Sequence, residues 1–229
     1  MSTRAVTAYA ALGTALLYLI SVPIGSFADA PEIGASGAAV LSFFAAHRSG
    51  VLAASVLNGI AWCALMPLTF AGLWQLLRAR AGTASAVALI CAAVESALIG
   101  VALVFGIVGA YESPQLAPGI ARVFGDAFNL ATSASAWPTV PCALALAFAW
   151  RAYDRSSRVV PGLALLAAAL HTIASVGFAR SGTLSPSSIP ALAPISFALL
   201  MAAIGVTLLR RAPLAASTGE AATAAAVSA

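Results

Sequence analysis

The sequence predicts an all-α fold, a polytopic membrane bundle of six transmembrane helices, from its composition and from the length of its apolar stretches. Of its 229 residues, 62% are hydrophobic and 8% are charged, whereas a soluble domain is about half apolar and about a quarter charged. The apolar residues form six stretches of 19 to 27 residues, and about 20 residues cross a hydrocarbon core roughly 30 Å thick. Because a bilayer offers no water to backbone groups and the alternation of barrel strands is absent, these stretches must be helices.

The predicted spans are, in order, residues 5–27, 51–77, 84–110, 127–150, 159–178 and 191–209. They form one domain over residues 1–211. The remaining residues, 212–229, are mostly Ala, Ser and Thr, and such a composition predicts a disordered tail. The connections between most spans are short, so successive helices should pack as antiparallel neighbours.

The first span has an alternative interpretation as a signal peptide. Ala28-Asp29-Ala30 fits a small-residue cleavage pattern. The apolar run is nevertheless longer than that of a signal peptide, and its only basic residue is Arg4, which favours an uncleaved first helix.

The connection that follows contains an apolar segment of its own, residues 38–46. The segment is too short to span a membrane, and it places Phe43 and Phe44 next to His47 and Arg48. This pattern predicts an interfacial helix on the outer leaflet, which could act as a lid over an outer vestibule.

The distribution of arginine predicts the orientation. Eight arginines fall on one side of the predicted spans and three, Arg48, Arg122 and Arg180, fall on the other. The positive-inside rule then places both termini in the cytoplasm. All eleven basic residues are Arg, and with abundant Ala, Gly and Pro this favours a high-GC genome and the plasma (inner) membrane of a bacterium.

Several chemistries are disfavoured by the residue inventory. The chain has no lysine, which excludes a retinal Schiff base. Its three cysteines, Cys63, Cys91 and Cys142, all lie in predicted spans and form no Cys-x-x-Cys pair. There is no metal, nucleotide or hydrolase motif, so no metal or cofactor is expected. The basic residues occupy short loops, which favours lipid headgroups over nucleic acid as their partners.

Glu95 is the strongest candidate for a functional residue. This carboxyl lies near the middle of the third predicted span, where an ionisable side chain costs roughly 2.5 to 3.5 kcal/mol on insertion scales. His171, on the fifth span, is predicted at a similar depth. A carboxyl and an imidazole at matching depth are typical of a proton relay. The alternative is that each side chain is hydrogen-bonded locally and only supports packing.

The fourth predicted span carries a polar stripe, and its residues share one face at a period of 3.6. These residues are Asp126, Asn129, Thr132, Ser133 and Thr139. Pro138 and Pro141 follow on the same span, and a kink there would free backbone carbonyls for a cavity wall. Pro67 does the same to the second span, which carries Asn58 and Trp62 on one face.

Small residues form a second face on the third span. Ala102, Gly106 and Ala110 follow a small-xxx-small pattern that lets helices approach closely. The contact could lie within the chain, or it could join the chain to a homo-oligomer or another membrane partner.

Three segments carry a family resemblance. They are Leu41-Ser-Phe-Phe-Ala-Ala-His-Arg-Ser-Gly-Val-Leu52, the Ala-Gly-Leu-Trp-Gln-Leu-Leu-Arg sequence that ends the second span, and Asp126-x-x-Asn129. In these the chain resembles a group of small six-span bacterial integral membrane proteins of uncharacterised function. The resemblance implies the topology and marks Asp126 and Asn129, and it implies no reaction.

Three functions remain open from the sequence. The favoured one is a non-catalytic membrane module that binds lipid or a protein partner, which predicts a solid bundle and a locally satisfied Glu95. The alternative is a small-solute or proton-coupled transporter that uses Glu95 and His171, which predicts a water-accessible cavity reaching mid-membrane. The third, an enzyme acting on a lipid, is disfavoured because Glu112, Asp126 and Asn129 are its only candidate groups near the outer surface.

Overall fold

The computed structural model describes residues 1–26, 29–176 and 191–210. Within these residues the regular elements are helices, with no strand, so the predicted all-α class is confirmed. The helices are α1 (Thr3–Ile24), α2 (Gly37–Ala46), α3 (Arg48–Asn58), a π-helical segment (Gly59–Leu65), α4 (Met66–Tyr111), α5 (Pro118–Ala134), α6 (Ala136–Tyr153), α7 (Val159–Ala174) and α8 (Leu192–Arg210). The predicted tail and residues 177–178 of the fifth span lie outside the described residues.

Four continuous helical stretches in the described chain are long and apolar enough to cross a membrane. They are Thr3–Ile24, Arg48–Tyr111, Pro118–Tyr153 and Leu192–Arg210. Two shorter apolar helices, Gly37–Ala46 and Val159–Ala174, accompany them. These lengths and compositions are consistent with the predicted membrane protein.

The longest stretch, Arg48–Tyr111, folds back on itself. Ala81 leaves helical geometry, with φ −149° and ψ 51°. The Ser96 hydroxyl donates to the carbonyl of Trp62 at 2.8 Å, and an Arg48 guanidinium nitrogen donates to the carbonyl of Tyr111 at 3.0 Å. The two legs on either side of Ala81 therefore run antiparallel, and they correspond to the second and third predicted spans.

The remaining helices also pack antiparallel. Nε of Arg4 donates to the carbonyl of Leu208 at 2.7 Å, joining α1 to the far end of α8. Nη1 of Arg80 donates to the carbonyl of Tyr153 at 2.9 Å. Arg4, Arg80 and the end of α8 thus meet at one end of the bundle, the arginine end, and helix α2 lies at the other end, the α2 end.

A dense apolar core fills the half of the bundle near the arginine end. It is built from side chains such as Phe70, Leu146, Trp150 and Leu208, all nearly or fully inaccessible. Small residues on facing helices bring the backbones close together. This half is therefore densely packed.

The contact between α1 and α8 gives a first prediction. A Cβ added at Gly205 would lie 2.5 Å from Cγ of Leu12 and 2.8 Å from the carbonyl oxygen of Ala8. We expect Gly205→Ala to destabilise the fold by about 1 to 3 kcal/mol through overpacking. Gly162→Ala is the control, because nothing lies within 4 Å of a Cβ there and alanine favours a helix. Thermal unfolding in detergent measures both, and equal melting temperatures would contradict this packing.

Two helix boundaries differ from the sequence prediction. Residues 112–126 were expected to form a loop, but α5 already begins at Pro118, where a proline fits the first turn because that turn needs no N–H bond. The predicted fourth span is also divided, since α5 ends at Ala134 and α6 begins at Ala136. Just before Pro67 the chain winds as the π-helical segment Gly59–Leu65.

Candidate functional site

A cavity of about 410 Å³ lies in the half of the bundle toward the α2 end. Residues of α1, α3, the π-helical segment, α4, α5, α6, α7 and α8 line it. Its wall includes the exposed residues Thr132 and Ile195. Four of the five residues predicted as an intramembrane polar site line this cavity: Asn58, Glu95, Asn129 and His171.

Glu95 lies in the cavity wall and is only 1% exposed. Its carboxyl lies near the hydroxyl of Thr139 on α6. The second oxygen, Oε2, has no hydrogen-bond partner among the described residues. The hydroxyl of Thr139 bonds the carbonyl of Ser135 at 2.8 Å, and since a hydroxyl has one hydrogen, it can donate to only one of these oxygens at a time. Glu95 is therefore incompletely satisfied by the protein.

His171 lies in the same cavity wall on α7. Its Nδ1 is 2.8 Å from the carbonyl of Ala167, one turn earlier, and its ring meets Phe197 edge to face with centroids 5.9 Å apart. Because a carbonyl oxygen only accepts, Nδ1 carries the hydrogen of this bond. In the neutral ring Nε2 is then an acceptor. No direct hydrogen bond joins His171 to Glu95 within the described chain.

An amide and two aromatic rings complete the inner wall. Oδ1 of Asn58 is buried and has no partner within the described residues. One turn further along, Trp62 packs edge to face on Tyr18 with centroids 5.5 Å apart, and both rings line the cavity. The sequence indicated Asn58 and Trp62 as one face, whereas Tyr18 lies in an apolar run that gives no polar signal.

Asp126 is the fifth residue of the predicted polar site, and it lies outside the cavity. Its Oδ1 accepts the backbone N–H of Gly34 at 2.8 Å, and its Oδ2 lies 3.5 Å from Nε of Arg122. Nearby, Nδ2 of Asn129 donates to the carbonyl of Pro31 at 3.1 Å. The two residues marked by the family resemblance thus fasten the connection between α1 and α2 to α5.

This connection borders the cavity. Ala30, Pro31 and Glu32 line its outer part, and Gly34 turns the chain with a φ of 82°, a value that suits glycine. Helix α2 then buries Val40 and Phe44 in a small cluster with Val51, Ala110 and Ala121. The segment expected to be an interfacial lid is therefore packed on the bundle beside the cavity.

Removing the Asp126 carboxylate should loosen this connection. We expect Asp126→Ala to speed amide hydrogen exchange of Gly34 about fivefold, because roughly 1 kcal/mol of hydrogen bonding is lost. Hydrogen–deuterium exchange with mass spectrometry measures this. Glu112→Ala is the matched control, since that carboxylate lies at the same end of the bundle and makes no hydrogen bond within the described residues. Equal exchange in both variants would contradict the role assigned to Asp126.

The small-residue face of the third predicted span lies inside the chain. Ala102 is 2% exposed and Ala110 is 0% exposed, and a Cβ at Gly106 would lie 3.1 Å from the ring of Phe128 on α5. Of the two contacts left open by the sequence, these residues make the intramolecular one. Ala102 also lines the cavity.

The cysteines near this site make hydrogen bonds to backbone carbonyls. Cys142, near Glu95, donates its thiol to the carbonyl of Ala88 at 3.4 Å, and Cys63 bonds the carbonyl of Ser96 at 3.5 Å. No group of three or more His, Cys, Asp or Glu side chains that could hold a metal ion occurs in the part of the chain that the structure describes.

Comparison with protein-family models, with curated proteins and with solved structures finds no match to this chain.

Proposed function

We propose that this chain is a polytopic membrane protein that binds a small amphipathic solute in the cavity between its helices, with Glu95 as the principal polar contact. The observation that supports this most is the cavity itself. At about 410 Å³ it falls in the range of about 300 to 1,000 Å³ typical of small-molecule sites, which are mostly apolar with a few convergent polar groups. A purely packing role for Glu95 predicts a solid bundle and a satisfied carboxyl instead.

Polar atoms without hydrogen-bond partners in residues of the cavity wall support the same proposal. A buried polar atom without a partner costs about 1 to 3 kcal/mol, and two such atoms, Oε2 of Glu95 and Oδ1 of Asn58, belong to residues lining one cavity. A bound solute with hydrogen-bond donors would supply the missing partners. The membrane module that the sequence favours predicts a solid bundle and a locally satisfied Glu95, so the cavity supports the solute-handling alternative instead.

Transport of the bound solute is the second candidate. It is favoured by the two helix irregularities that border the cavity. Trp62 belongs to the π-helical segment and Ser135 lies at the break between α5 and α6, and both line the cavity. Such irregularities can act as hinges, whereas the packed half near the arginine end would keep the cavity closed on that side.

We further propose that the bundle crosses the membrane six times with both termini in the cytoplasm of a bacterium. Each leg of the Arg48–Tyr111 hairpin is long enough for one crossing, and α7 pairs antiparallel with α6 through the Trp137 indole, which donates to the carbonyl of Ser175 at 3.1 Å. The gathering of Arg4 and Arg80 at one end supports a cytoplasmic position for that end.

Filling the cavity tests the proposed function. Ala136 lines the cavity and is buried, so Ala136→Phe should occupy the solute space. The probes are benzyltrimethylammonium and its uncharged isostere neopentylbenzene, titrated calorimetrically into the purified protein in nonionic detergent with empty-micelle heats subtracted. We expect at least one probe to bind the wild type and to lose at least tenfold in affinity in Ala136→Phe.

Two further variants make this experiment decisive. Ala174→Phe fills the same cavity from α7, and Ala169→Phe places the same ring on an exposed position of that helix. The first should lose binding and the second should keep it. The proposed function would be overturned if neither probe bound the wild type, or if a probe bound all variants with equal affinity.

A further inference from the structure

We infer that the solute is a cation, an amphipathic molecule with an ammonium-type group that pairs with Glu95. This inference rests on the proposed function and deepens it by naming the class of ligand. It follows from three features of the cavity wall: the hydrogen-bonding sense of its polar atoms, the sign of its charges and the placement of its aromatic rings.

The polar atoms left without partners are acceptors. Oε2 of Glu95 and Oδ1 of Asn58 have no partner among the described residues, and these side chains are 1% and 6% exposed. Nε2 of His171 is an acceptor as well, because its Nδ1 carries the hydrogen given to Ala167. A ligand with hydrogen-bond donors or positive charge would supply partners to these acceptors.

The inner wall carries a buried carboxyl, and no arginine or lysine occurs among its described lining residues. Glu95 is this carboxyl. Lysine is absent from the entire sequence. An anionic solute would meet a carboxyl without a counter-charge in a poorly hydrated space, whereas a cation would be attracted by it.

Aromatic rings line the same cavity as this carboxyl. Trp62 and Tyr18 line the cavity with their rings at an interplanar angle of 78°. The faces of tryptophan and tyrosine attract alkylammonium groups, by about 0.5 to 2 kcal/mol depending on desolvation. Aromatic rings and one carboxylate together recognise a quaternary or protonated amine more readily than a neutral solute of the same shape.

The pairing of the cation with Glu95 is balanced in protons and in charge. When the Glu95 carboxyl starts as the acid, its O–H bond breaks, the proton passes to water at the cavity mouth, and the ligand cation pairs with the carboxylate that remains. One cation then replaces one proton, with no oxidant or second reactant. When the carboxyl starts as the carboxylate, the cation adds without any proton leaving.

The test compares the two isosteric probes in two matched variants. The ratio of the dissociation constants of neopentylbenzene and benzyltrimethylammonium is measured by calorimetry for wild type, Glu95→Gln and Glu112→Gln. We expect the preference for the cation to fall at least tenfold in Glu95→Gln, because the pairing charge is lost while the shape is kept. Glu112, outside the cavity, should leave the ratio unchanged.

The two proposals fail in different ways. If the neutral probe binds in a manner blocked by Ala136→Phe and the ratio is the same in Glu95→Gln as in wild type, the cation inference is overturned and the proposed function stands. If neither probe binds the folded wild type, both are overturned. Melting temperatures of each variant show that it is folded, and Glu95→Asp, which keeps the charge, should retain the preference for the cation.

Discussion

Glu95→Met should unfold at a higher temperature than the wild type and should lose the binding of cations. Methionine has a similar length and volume, so it fills the position of the glutamate without an unpartnered oxygen. Removing a buried unsatisfied polar atom gains about 1 to 3 kcal/mol. Thr139 is not orphaned by the change, because its hydroxyl can still donate to the carbonyl of Ser135 at 2.8 Å.

The measurement is thermal unfolding in detergent without ligand, followed by calorimetric binding of benzyltrimethylammonium. Ser96→Ala on the same helix is the contrasting variant. The Ser96 hydroxyl is satisfied by the carbonyls of Trp62 and Ala92, so its loss should destabilise the fold by about 1 kcal/mol. A lower melting temperature for Glu95→Met would show that the carboxyl supports packing and would contradict a functional role.

Trp150→Ala should produce the largest loss of stability, roughly 3 to 5 kcal/mol, the cost typical of deleting a buried tryptophan. Trp150 is 0% exposed and its ring packs edge to face on Tyr153, with centroids 5.9 Å apart. It belongs to the core near the arginine end. Lipid tails are as apolar as this core, so the cost comes from lost packing contacts more than from contact with water.

Trp150→Phe distinguishes the contribution of ring packing from that of the indole nitrogen. Nε1 of Trp150 has no hydrogen-bond partner in the described chain, so replacing the indole by a phenyl ring removes an unsatisfied donor while it keeps most of the packing. We expect a loss of less than about 1.5 kcal/mol, as for other volume-conserving changes. Chemical denaturation in detergent compares both variants, and equal losses would contradict this account of the core.

A stability gain at Glu95 with a loss of binding would be typical of a functional site. Binding sites keep groups that destabilise the empty protein, since the ligand supplies the compensation. The packed half of the bundle shows the opposite pattern, with large apolar side chains and few polar atoms. Substitutions of large side chains in the packed half should therefore lower stability, whereas replacing Glu95 in the cavity half should raise stability and abolish binding.

Much of the architecture could be predicted from the sequence because lipid leaves few choices. Apolar runs of membrane length must become helices, and short connections make them antiparallel. Glu95 and His171 could be marked for the same reason, since polar residues in apolar runs face the interior. The structure places both in one cavity wall, although the sequence could not show that their helices share it.

The features that could not be predicted from the sequence depend on tertiary contacts. The start of α5 at Pro118 was missed because residues 118–126 contain both apolar and charged residues, and hydropathy alone reads them as a loop. Asp126 was placed in the polar site from its helical period, but it bonds the N–H of Gly34, 92 residues away in the chain. Tyr18 gave no signal, since an aromatic residue in an apolar run is ordinarily packed against its neighbours.

Water and small solutes should reach Glu95 through the cavity. The most direct measurement is the reaction of Glu95→Cys with a water-soluble trimethylammonium methanethiosulfonate, in a chain whose Cys63, Cys91 and Cys142 are alanine. In nanodiscs we expect modification within minutes, slowed at least tenfold when Ala136→Phe is added. A thiol at position 95 that reacts only after the protein is unfolded would contradict this accessibility.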